Sequence, residues 1–149
     1  MGELLSTLIA VGKETEKFGE IILDIQSLKA IIDCGSEKDL AEAGKKVGEI
    51  QPKSYLALMN KPCSYESCFN LFTELLREHN NWYSFDFKEL PEITIFTFVD
   101  KNKLGKKWLI FVEEYTAAMV KTLLNVKVKI TLEADRVSLE IYRNKQPPE

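Results

Sequence analysis

Apolar residues recur at helical spacing as far as Asn80 and at every second position beyond it, apart from one long segment. A chain patterned this way folds as helices followed by strands, an α+β arrangement, because no regular strand-helix alternation supports parallel βαβ crossovers. No internal repeat of solenoid length and no low-complexity tract interrupts it. The expected organisation is one domain over 1–149, with a mainly helical part at 1–80, a sheet with a long helix at 81–143 and a frayed tail at 144–149.

Leu4, Leu5, Leu8, Ile9 and Val11 predict a first helical stretch, with Gly12 and Gly19 as points where the chain bends. Phe18, Ile21, Ile22, Ile25, Leu28 and Ile32 continue at helical spacing and predict a helix ending near Cys34 and Gly35. The competing reading makes Glu20 to Gln26 a short strand, since isoleucine favours strands. Ser36-Glu37-Lys38-Asp39 is a capping-box pattern and starts another helix. Its Leu40, Ala43, Gly44 and Val47 form a narrow face that lets a second helix approach closely. Pro52 predicts a break and restart before Tyr55, Leu56 and Met59.

After Pro62, Ser64 is the expected N-cap of a helix presenting Tyr65, Cys68, Phe69, Phe72, Leu75, Leu76 and His79, with Asn80-Asn81 as its stop. Tyr83, Phe85 and Phe87 then alternate as one strand. Ile93 to Val99 form a second, joined to it across Glu89-Leu90-Pro91. Large apolar residues on both faces of the second strand predict a central strand covered on both sides. A long helix follows from about Leu104, aligning Trp108, Phe111, Val112, Tyr115, Ala118, Met119 and Leu123. Val126, Val128, Ile130 and Leu132 oppose Val137, Leu139 and Ile141 in a final hairpin that turns near Ala134-Asp135. The expected sheet is four-stranded and antiparallel, with the long helix across one face.

Lys and Arg number 20 against 23 Asp and Glu, giving a pI near 5.4, so no whole-protein field favours nucleic acid or anionic lipid. The longest apolar stretches, Leu4 to Val11 and Trp108 to Val112, fall short of the roughly 20 residues of a membrane span. Three cysteines do not make a disulfide framework and suit a reducing compartment, so the cytoplasm is expected. Glu3 precedes the first apolar run and the first lysine is Lys13, which gives no signal-peptide n-region and reads as a mature, soluble N-terminus. Met1-Gly2 with Ser6 fits the loose myristoylation pattern, which chance often produces.

The single histidine, His79, excludes His-rich metal sites and would have to serve any Ser-His-Asp or Cys-His pair. At a helix C-terminus it reads more simply as a capping residue. Cys63 and Cys68 bracket a helix start, where thiolates are stabilised, but Cys68 lies on the apolar stripe and the spacing is not C-x-x-C. Asp24, Asp33, Glu113 and Glu114 show no spacing that pairs an acid with a base. No catalytic residue, metal or cofactor is assigned.

Lys101, Lys103, Lys106 and Lys107 crowd around Gly105 at a predicted helix start, where cations oppose the helix dipole. A ligand site is expected there, with Lys103, Gly105, Lys106 and Lys107 meeting an anion and Trp108, Phe96 and Tyr115 an apolar body. The bland reading is a solvated loop above an ordinary aromatic core. The leading expectation is a non-catalytic binding or regulatory module that forms a homodimer and holds a small apolar or anionic ligand. The alternatives are a ribbon-helix-helix-like DNA-binding regulator using the strand at 20–26, whose acidic Glu20 and Asp24 would repel phosphate, and a cysteine-dependent enzyme.

Overall fold

Asp24 accepts hydrogen bonds from the Gln26 and Ser27 backbone N–H groups, each at 3.0 Å, and so starts the first described helix, α1, Ile25–Cys34. The structure, a computed structural model, describes residues 23–79 and 81–143. The expected helix at 4–11, the bends at Gly12 and Gly19, residues 18–22, the myristoylation pattern, Asn80 and the tail at 144–149 lie outside the described residues. So do the side chains of Leu75 and His79. Where residues 20–26 are described, they form a helix cap and first turn rather than a strand.

Ser36 caps α2, Glu37–Leu58, through the capping box with Asp39 that the sequence announces. Pro52 does not break this helix, contrary to expectation. An interior proline removes one backbone bond and costs about 3 kcal/mol. Here it is buried on the same face as Gly44 and Gly48, so tertiary packing carries the helix across the gap. α2 ends where Asn60 turns left-handed and the Lys61 N–H reaches the Leu56 carbonyl at 2.8 Å.

Ser64 caps α3, Tyr65–Asn70, and the chain continues as a π-helical segment over Leu71–His79. The expected single helix is thus present but wider in its second part. Strands β1, Ser84–Glu89, and β2, Ile93–Val99, form the first hairpin; α4, Lys106–Leu124, follows, then β3, Val128–Leu132, and β4, Arg136–Tyr142. The sheet is antiparallel in the order β1-β2-β4-β3. The protein is therefore α+β, with the long helix packed on a four-stranded sheet.

Strand register sorts the inner face into rows. Phe85, Phe98, Val137 and Leu132 make one row, Phe87, Phe96, Leu139 and Ile130 the next, and Glu89, Thr94, Ile141 and Val128 the last. The π segment and α4 lie on this face. Phe72, fully buried, packs 5.1 Å from Phe98 and 5.4 Å from Phe96 between ring centroids. The other face of β2 is only half-buried, which corrects the expectation of cover on both sides. Its Ile95 lies between Lys88 and Glu140, and its Thr97 between Asp86 and Ser138. Polar neighbours within the sheet, rather than a second described layer, shade it.

α2 forms a third layer outside α4. A Cβ on Gly44 would stand 2.4 Å from the Phe111 carbonyl oxygen, and one on Gly48 2.4 Å from that of Tyr115. The expected close approach is therefore present, with Gly48 as its second contact. Alanine in place of Gly48 gains up to about 1 kcal/mol of helix propensity but must push two backbones apart, an overpacking that costs about 1–3 kcal/mol. Gly48→Ala is expected to lower the urea midpoint, while Lys45→Arg on the exposed side leaves it within error. A Gly48→Ala midpoint raised by the full helix-propensity gain would disprove the tight helix contact.

Candidate functional site

The lysine-rich segment before α4 is organised by a carboxylate. Asp100 Oδ1 accepts the Leu104 N–H at 3.0 Å and Oδ2 the Gly105 N–H at 2.7 Å, so Asp100 fixes the turn leading into the helix, whose N-cap, Gly105, carries no side-chain bond. The chain reaches that geometry through left-handed Lys103, φ 54°, and Gly105, φ 95°. Lys106 Nζ pairs with Glu37 at 2.8 Å, and Lys107 Nζ donates to the Asp33 carbonyl at 2.9 Å. Both lysines therefore tie α4 to the junction of α1 and α2, which explains cations at the unfavourable helix end. Lys103 is exposed.

Phe96, Trp108 and Tyr115 are buried, and the fold separates them. Phe96 belongs to the aromatic group of Phe69, Phe72 and Phe85, whereas Trp108 and Tyr115 each pack edge-on against Trp82. The Trp108 Nε1–H donates to the Trp82 carbonyl at 3.2 Å. The Tyr115 hydroxyl is held protonated by burial, which raises its pKa, with Tyr55 and Cys68 adding to the effect.

A concavity lies elsewhere, at the end of the sheet marked by Thr94. It is an open cleft of about 500 Å³. Tyr65 from the start of α3, Leu124 from the end of α4, Val126 beyond it and Ile141 of β4 supply its walls, with Glu89 and Arg143 as the charged groups. None of the seven residues expected from sequence lines it. The cleft exists because the last inner row places Glu89 and Thr94 where the other two rows place phenylalanines.

Arg143 follows β4 at the parity of Val137, Leu139 and Ile141, and its N–H donates to the Glu92 carbonyl at 2.9 Å. Its Nε and Nη2 donate to the Thr94 hydroxyl at 3.2 and 2.9 Å, and Nη2 also to Glu89 at 3.0 Å. The guanidinium carbon lies 5.8 Å from the centre of the Tyr65 ring. Thr94 is fully buried, and the Tyr65 hydroxyl is buried without a hydrogen-bond partner among the described residues. Sequence reasoning missed this site. Its signal was the strand alternation, which carried two residues past Ile141 brings an arginine to the inner face.

The remaining chemistry is dispersed. Among the described residues no three His, Cys, Asp or Glu side chains come together in a group fit for a metal ion. Burial pushes the Cys68 thiol up to about 12, so it stays protonated at neutral pH. Cys34 and Cys63 are exposed. Glu113 is raised above the ordinary carboxylate range by partial burial and by neighbouring Glu114. No helix among the described residues is long and apolar enough to cross a membrane. No family model and no curated protein matches this chain.

Two outcomes check these assignments. Asp100→Ala strips the Leu104 and Gly105 N–H groups of their acceptor and is expected to cost about 1–3 kcal/mol in urea unfolding; no loss would show that these turn bonds are dispensable. Iodoacetamide at neutral pH should label Cys34 and Cys63 in the native protein and Cys68 only after denaturation. Rapid native labelling of Cys68 would contradict its burial.

Proposed function

We propose that this chain is a non-catalytic binding or regulatory module of the cytoplasm, which holds a small apolar or anionic ligand in the cleft at Arg143 and acts as a homodimer. The observation that carries the reading is the cleft itself. Its volume of about 500 Å³ falls within the roughly 300–1,000 Å³ of small-molecule sites, which combine apolar walls with a few fixed polar groups. Leu124, Val126 and Ile141 provide the walls, and the Arg143 guanidinium the polar group. Self-association draws support from large apolar side chains left exposed on the outer helices, Ile31 at 62%, Ile50 at 59% and Leu58 at 54%.

Native mass spectrometry of freshly purified protein, set against its denatured mass, tests both parts. The expected result is a dimer carrying an extra small mass that is lost on denaturation and absent from Val126→Trp, whose indole fills the cleft. A bare chain whose melting temperature is also unmoved by a mixed set of acids, alcohols and neutral lipids would overturn the ligand reading. A monomer at micromolar concentration would overturn the dimer.

A further inference from the structure

We infer that the ligand of this cleft is one molecule both apolar and anionic, a free monocarboxylic acid, and that Glu89 occupies the place of its carboxylate on Arg143 when the cleft is empty. The inference rests on the reading of the cleft as a ligand site. Three contacts hold the Arg143 fork, and they differ in kind. Thr94 receives two of its N–H groups from inside the sheet, and the Tyr65 ring lies beside it. Those two partners are fixed by the core. The third, Glu89, is a side chain 56% exposed at the end of an edge strand.

An ion pair this exposed shifts an equilibrium by at most about fivefold. A ligand carboxylate gains more once its own tail lies across the open cleft and shields the fork from water, because a shielded charge-assisted hydrogen bond shifts an equilibrium by about ten- to hundredfold. The incoming acid also buries its tail against Leu124, Val126 and Ile141, which Glu89 cannot do. Arg143 is the one cation among the described residues that line the cleft, so a single negative charge matches it, whereas a phosphate dianion beside Glu89 would be left with charge uncompensated.

The test is isothermal titration calorimetry on the full chain at neutral pH, with straight-chain acids from butanoate to decanoate and the matching primary alcohols. Acids should bind with affinity rising along the series until the cleft is full, and at least tenfold more tightly than the alcohols. Arg143→Met should lower acid affinity at least about tenfold while leaving alcohol binding in place, which also shows that the variant is folded. Glu89→Gln should tighten acid binding about two- to fivefold. Acids and alcohols binding alike, or Glu89→Gln binding acids no more tightly, would overturn the inference; if Val126→Trp still abolishes that binding, the ligand reading stands. No binding of either series by wild type or Glu89→Gln overturns the inference too, and the ligand reading survives only if native mass spectrometry finds a retained mass.

Discussion

Where α2 crosses α4, two backbones meet with no side chain between them. Gly44 and Gly48 face the Phe111 and Tyr115 carbonyls at a separation that a methyl group would close. This contact determines the layering. α2 sits so near that α4 becomes an interior helix, with the sheet on one side and α2 on the other, and residues 115–120 are buried all round. A polar residue in that stretch must satisfy itself within the helix. Thr116 does so, donating its hydroxyl to the Val112 carbonyl at 2.8 Å. Pro52 survives inside α2 because it lies on the face the glycines open, and Lys106 and Lys107 stitch the beginning of α4 to the same outer layer.

Beneath that layer, two elements share one face of the sheet. The π segment covers β1 and β2 with Phe72, and α4 covers β3 and β4. Large rings fill the space wherever the strand rows supply them. The row through Thr94 supplies none, so the helices have less to close upon there and the cleft opens. A threonine in that row also gives the Arg143 fork an acceptor inside the sheet.

Much of this was legible in the sequence, for a physical reason. Period-two alternation placed both hairpins, and the Ser36 and Ser64 caps fixed two helix starts, because each signal is local. The break expected at Pro52 failed because a tertiary contact overrode a local preference. The π segment was illegible, since Leu71 to His79 carry the same apolar stripe that an α-helix would. In the lysine segment, where four cations suggest an anion from outside, the composition did not show that Asp100 holds the Leu104 and Gly105 N–H groups leading into α4. The cleft depends on which residues three strands and two helices bring to one end, and no single window of sequence contains Tyr65, Glu89, Thr94 and Arg143 together.

The strand order has a bearing on how the chain assembles. Each hairpin closes over a few residues, but the central seam joins Val99 to Arg136 and Ile93 to Tyr142, so its partners lie 136 − 99 = 37 and 142 − 93 = 49 residues apart. All of α4 lies between them. Loop-closure entropy delays such a seam until the helix has formed and docked. Before that, β2 and β4 each present an open edge flanked by their most apolar residues, so the nascent chain passes through a stage with two sticky margins before it has a sheet.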